Sequence, residues 1–219
     1  MILDVAKKTF SDLNIPESPP QMLLWVSVVP SSIFDGSSID GLARGNTRLA
    51  SSDQCRIHKN AILLAESMRG KLEPEEWKPL LASSIIFYRK LRRRLLVRLV
   101  ALSWAPLVLL LVGFFFALFV AAILGAPSWV AFLFVPFLFL GGVLVEGIYG
   151  LSLKRSLLFA DRQAANVTGR LQFMRVLKKL DSLSQPDIQK RNNRKKVTRL
   201  LFVDRPTLGE RIRNLELDY

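Results

Sequence analysis

The chain has one cysteine, Cys55, and one histidine, His58, in 219 residues. The lone cysteine excludes an intrachain disulfide framework and any thiolate zinc cluster. The lone histidine excludes every site that draws two imidazoles from one chain, the H-E-x-x-H zinc peptidases included. Charge is missing from residues 99–145 altogether. The start, Met1-Ile2-Leu3-Asp4, has no basic segment followed by an apolar one, so no cleaved signal peptide is expected. Internal repeats and low-complexity tracts are absent too. Half of the chain is apolar, which excludes a disordered protein.

Charge is plentiful elsewhere, and it is uneven. Lys and Arg number 31 against 18 Asp and Glu, a formal net charge of +13. Arg89, Lys90, Arg92, Arg93, Arg94 and Arg98 crowd the entrance to the uncharged run, and Lys154 and Arg155 follow it. As one helix, the uncharged run would be about 70 Å long, more than twice a hydrocarbon core of about 30 Å. Gly125-Ala126-Pro127-Ser128 breaks it. The expectation is a hairpin of two spans, near 99–124 and 129–149. Trp104, Trp129 and Tyr149 would lie at the interfaces. Basic flanks on both sides place both termini in the cytoplasm, at the inner membrane if the cell is prokaryotic. Glu146 is the one acid at the membrane edge, read as an interfacial or Arg-neutralising group, with contact to a partner helix as the alternative.

The expected domains are 1–94 and 151–219, two cytoplasmic halves separated by a membrane insert at 95–150. In the first half, a helix is expected from Met1 to Leu13 and a β-prone run from Met22 to Val29. A second β-prone stretch lies within Arg48–His58, and Asn60–Arg69 reads as a helix ended by Gly70. Glu73-Pro74-Glu75-Glu76 reads as a helix start, with Pro in the first turn and acids at the positive end of the dipole. In the second half, Leu153–Leu183 reads as one helix ended by Pro186, and Pro206–Leu217 as a last one. Lys190, Arg191, Arg194, Lys195 and Lys196 form a basic tract that could bind anionic lipid headgroups or stand as a solvated loop. Nucleic acid is the weakest reading of this charge, since no recognition motif accompanies it.

Four phrases, in order, resemble the HtpX-type and CAAX-prenyl-protease-type membrane zinc metallopeptidases. Asp40-Gly41-Leu42-Ala43-Arg44-Gly45 stands where that family has N-A-F-A-x-G. Leu72-Glu73-Pro74-Glu75-Glu76-Trp77-Lys78-Pro79-Leu80-Leu81-Ala82 is similar to the run before the zinc motif. Ala160-Asp161-Arg162-Gln163-Ala164-Ala165-Asn166-Val167-Thr168-Gly169 is similar to A-D-x-x-A-A-x-x-T-G. Pro206-Thr207-Leu208-Gly209-Glu210-Arg211-Ile212-Arg213-Asn214-Leu215 is similar to the closing phrase, and the hairpin falls between the second and third. The resemblance implies a mainly α gluzincin-like metallopeptidase fold with a small β-sheet, split by a two-helix transmembrane hairpin.

It also implies which positions have lost their chemistry. Ser83 stands at the first ligand His, Ser84 at the general-base Glu, Phe87 at the second His, Leu157 at the third ligand, and Arg205 at the closing His. Only Asp161, which in the family orients a ligand His, is retained. Catalytic zinc usually needs three protein ligands, so no metal, no cofactor and no catalysis are expected. Phe87 and Leu157 are expected to touch, packing their two helices together and filling the former metal cavity with hydrocarbon, and Asp161 to cap or pair with a local Arg. A Ser-His-Asp or Ser-Lys arrangement around Ser83 and Ser84 is disfavoured: the one histidine is distant, and Lys78 and Lys90 are off helical register. Cys55 is expected to be an unreactive thiol.

The implied role is that of a membrane pseudopeptidase in protein quality control, binding a peptide, a membrane protein or an active protease. Leu42, Ala43 and Arg44 would be its edge strand. The alternative is a structural adaptor that assembles through the hairpin and basic tail, with no peptide groove.

Overall fold

The computed structural model describes residues 1–15, 18–26, 51–58, 60–91, 135–193 and 205–217, with short helical pieces between 97 and 123. The architecture is mainly helical with a small three-stranded sheet. Helix α1 (Ile2–Asp12) buries Ala6, Thr9 and Phe10. With Val5 and Leu13 this is a 3.6-residue stripe, and it packs on α2 (Trp77–Ile85).

Strand β1 (Met22–Val26) pairs in parallel with β3 (Ala61–Ala65), Met22 opposite Ala61. Strand β2 (Arg56–His58) pairs antiparallel with β3 on its other side, Ile57 opposite Ile62. The helix expected at Asn60–Arg69 is therefore a strand, followed by a 3-10 turn at Glu66–Met68. The physical reason is its place in the sheet. Ala61-Ile62-Leu63-Leu64-Ala65 is the middle strand, buried on both faces from Ile62 onward, and so shows no alternation.

The start of α2 follows from its sequence. Pro74–Glu76 forms a 3-10 turn, and the Glu73 N–H donates to Glu76 Oε2 at 2.8 Å. Every residue of α2 except Lys78 is buried. The helix then widens into a π-helical segment, Ile86–Leu91. Helix α3 runs unbroken from Val135 to Thr168, about 51 Å at 1.5 Å per residue. Its later half packs on α2 and carries small residues, Ala160 and Ala164, at the buried face.

The single helix expected over Leu153–Leu183 is two. Gly169, at φ +89°, breaks it, and α4 (Arg170–Ser182) sets off in a new direction. That φ lies where side chains bearing Cβ are strained. Pro186 does not end a helix but begins one, α5 (Pro186–Asn192), as proline at a first helical position does. Helix α6 (Leu208–Glu216) is capped by Thr207, whose Oγ1 accepts from the Glu210 N–H at 3.2 Å, while the Thr207 N–H donates to Glu210 Oε2 at 2.9 Å.

One core joins both ends of the chain: Phe10, Ile62, Leu64, Trp77, Leu80 and Ile85 lie in one cluster with Phe173, Leu177, Leu208 and Leu215. Among the described residues, no helix is long and apolar enough to cross a membrane. Most of the first expected span and the connecting turn at 125–128 lie outside the described residues.

Candidate functional site

The site grows from the packing of α2 on α3. Adjacent positions on a helix diverge by about 100°, so Ser83 and Ser84 face different neighbours. Both are buried. Ser83 meets α3, where its Oγ donates to Asp161 Oδ1 at 2.6 Å. Ser84 lies on the side of Cys55.

Asp161 is held from its other side by Arg211 of α6. Nε donates to Oδ2 at 2.7 Å and Nη2 to Oδ1 at 2.8 Å, a two-pronged pair. The same guanidinium reaches the loop before β2: Nη1 donates to the Asp53 carbonyl at 2.9 Å and lies 3.4 Å from Asp53 Oδ2. Its carbon stands 5.7 Å from the centre of the Phe173 ring. Asp53 takes a second arginine, Arg191 of α5, at 2.7 and 3.3 Å, and the Ser51 hydroxyl at 2.7 Å. One turn before Arg191, Asp187 accepts from the Ser52 N–H at 3.0 Å and from Ser51 Oγ at 3.3 Å. The Arg211, Asp53 and Asp161 side chains are 5, 4 and 1% exposed, so these are interior charges.

Interior charges survive only when matched. Burial pushes the Asp53 carboxyl up, but Arg191 and Arg211 more than offset it and hold it well below the usual carboxylate range. Burial disfavours charged Arg211, and Asp161 followed by Asp53 reverse that, leaving it more firmly protonated than a free arginine. Burial pushes the Cys55 thiol up to about 12, with Ser84 and Arg211 opposing only weakly. Cys55 is thus an inert buried thiol rather than a nucleophile.

A small pocket opens over this network, lined by Gln54, Leu157, Asp161, Arg205, Arg211 and Asp53. Its enclosed part is about the size of one water. Among the described residues, no three His, Cys, Asp or Glu groups could hold a metal ion. The arrangement is an electrostatic cross-link of α3, α5, α6 and the Ser51–Asp53 loop, with Ser83 buried beside it.

The positions singled out in the sequence largely meet here. Ser83 and Asp161 are bonded, Leu157 and Arg205 line the pocket, and Ser84 lies just behind. Phe87 is buried in the same core as Leu157 but sits on the π-helical segment, with its ring edge-on to Tyr88 at 5.2 Å, and does not line the pocket. Asp161 pairs with an arginine 50 residues away rather than a local one. Leu42, Ala43 and Arg44 lie outside the described residues, as do Arg194, Lys195 and Lys196. Lys190 is exposed, but Arg191 is not available to lipid: its charge is spent inside on Asp53. Sequence reasoning missed Asp53, Arg191 and Asp187 as site residues. The i, i+4 spacing of Asp187 and Arg191 was visible, but the opposing Ser51-Ser52-Asp53 loop was not. Arg211 stood within the closing phrase without an assigned role.

Comparison with protein-family models, with curated proteins and with solved structures finds no match to this chain.

Proposed function

We propose that the chain is a membrane-anchored pseudopeptidase, built on a gluzincin-like fold whose zinc chemistry is gone, and that it binds a peptide or protein segment without cleaving it. The observation that carries this reading is the Ser83–Asp161 hydrogen bond. The resemblance aligns Ser83 with a ligand His and Asp161 with the acid that orients it, and those two side chains, 78 residues apart, are in contact. Leu157, one turn before Asp161, lines the adjoining pocket, where the alignment puts the third ligand. Hydroxyl and hydrocarbon stand at these positions, and neither makes a zinc site.

The membrane part of the proposal rests on the uncharged run at 99–145 and its basic flanks. Leu111, Phe115, Phe116, Phe119 and Ile123, within that run, are all 42–68% exposed. At helical spacing these positions share one face, and an apolar face left open matches a lipid surrounding. Peptide binding fits a sheet whose described edges are β1 and β2, since a free edge takes up an extended chain by strand addition.

The test is reconstitution. The triple variant Ser83→His, Phe87→His and Leu157→Glu is expected to bind about one zinc per chain, with Asp161 orienting the new imidazole. Metal content of detergent-purified protein, with and without an EDTA wash, reads the result. A variant that melts cooperatively and still holds no zinc overturns the proposed register. Stoichiometric metal in the unmodified chain overturns the loss of the site.

A further inference from the structure

We infer that the outer face of α3, formed by Leu151, Arg155 and Phe159, lies on the headgroups of an anionic bilayer; this rests on the membrane reading above. The three residues stand at i, i+4 and i+8, so they make one stripe along the helix. Leu151 is 54% and Phe159 48% exposed, and Arg155 is exposed between them. On the opposite side of the same turns, Leu153, Leu157 and Ala160 are buried in the core. Large apolar side chains on either side of a cation are what a helix lying in a membrane interface presents. The stripe is also free of acid. Between Gly147 and Leu180 the one acid is Asp161, which is 1% exposed and paired with Arg211. Lys154 is paired with Glu210 of α6 at 2.6 Å, whereas Arg155 has no ion-pair partner among the described residues. Two copies of a basic face repel each other, so the charge favours anionic headgroups over a second copy of this chain.

Continuity with the uncharged run puts this face within reach of the bilayer. Helix α3 begins at Val135, inside that run, and continues unbroken through the stripe to Thr168. From the expected span end at Tyr149, Leu151, Arg155 and Phe159 follow by about 3, 9 and 15 Å along the axis. Upright, the helix would leave Phe159 in water. Spans tilt by up to about 40°. Leaning that far toward the stripe, a helix about 11 Å across brings its underside to about 3 Å from the hydrocarbon at Arg155 and about 8 Å at Phe159. The headgroup layer is about 5–8 Å thick on each side. Leu151 then meets the hydrocarbon edge, Arg155 lies among the phosphates and Phe159 touches the outer rim of the headgroups. The core is on the other face of α3, so this lean does not press it into the bilayer.

The test uses the burial of Cys55, which leaves an introduced surface cysteine as the one that labels in folded protein. Leu151→Cys, Phe159→Cys, Leu111→Cys in the uncharged run and Ser11→Cys on α1 each receive a nitroxide. The full-length protein is reconstituted in vesicles of phosphatidylcholine alone or mixed equally with phosphatidylglycerol. Electron paramagnetic resonance reads collisions with a water-soluble nickel chelate. Labels at 151 and 159 are expected to be about fivefold less accessible in the anionic vesicles, the effect of one cation near a charged surface. The label at 111 is shielded in both lipids and that at 11 in neither. Arg155→Gln removes the difference between the lipids and Arg155→Lys keeps it. Equal access at 151 and 159 in the two lipids, with 111 shielded, overturns the headgroup contact and leaves the membrane anchor standing. Open access at 111 as well overturns both. Shielding of 151 and 159 already in detergent, rising with protein concentration, assigns the face to a second copy and refutes the lipid contact. A difference that survives Arg155→Gln also refutes the assignment.

Discussion

Replacing Arg211 with methionine tests the central claim about this interior, that one guanidinium holds three segments together. The substitution keeps much of the volume and removes the charge. Asp161 would then retain only the Ser83 hydroxyl, and Asp53 only Arg191 and Ser51. Breaking a buried pair by deleting one partner costs about 3–5 kcal/mol, because the orphaned charge stays desolvated. For a chain of this size, each kcal/mol moves Tm by about 2–4 °C, so a fall of about 6–20 °C is expected. Asp161→Asn removes the charge that Arg211→Met strands. The double variant should therefore be more stable than the sum of the two singles implies, with a coupling of about 1–3 kcal/mol. Circular dichroism melts of the four proteins in one detergent complete the cycle. If Arg211→Met shifts Tm by less than about 2 °C, or the single effects simply add, the cross-link is not what secures α6 to the core.

Other expectations follow from the same geometry. Asp53 is held below its unfolded value near about 4, so its contribution is full above that pH and is lost as pH falls through the folded value; Tm should drop below about pH 4, and less steeply in Arg211→Met. Cys55, raised from 9.0 to about 12, should carry about a thousandfold less thiolate at pH 8 than an open thiol. Labelling by iodoacetamide should await unfolding, and rapid labelling of native protein contradicts its burial. Gly169→Ala places a Cβ at φ +89°; nothing crowds that Cβ, so the cost is backbone strain alone, about 1–2 kcal/mol by urea titration. Thr207→Ala removes the α6 cap and should cost about 1 kcal/mol, which Thr207→Ser restores.

Much of the framework was legible because its signals are local. The α1 stripe, the acidic start of α2 and the Thr207–Glu210 pair are each written within a few residues. Nothing in either segment demands that Ser83 meet Asp161; the packing of α2 on α3 brings them together. What escaped was set by distant partners. Ala61–Ala65 is a strand because β1 and β2 flank it, and its own five residues would suit a buried helix. Arg191 looks solvated within a basic tract until Asp53, 138 residues away, claims it. The break at Gly169 was visible only as one glycine in an otherwise continuous helical pattern.

The loop Ser51–Asp53 sets the order in which this protein can be assembled. Its anchors arrive late: Asp187, Arg191 and Arg211 lie 135, 138 and 158 residues further along the chain. At about 5–20 residues per second, the ribosome takes about 8–30 s to reach Arg211 after making Asp53. Until Arg191 is made Asp53 has neither guanidinium, so the loop stays hydrated and the core lacks Leu208 and Leu215. The apolar run at 99–145 is synthesised inside the same window. Closure of the domain therefore waits for α6, the helix that locks the Ser51–Asp53 loop and the first half of the core in place.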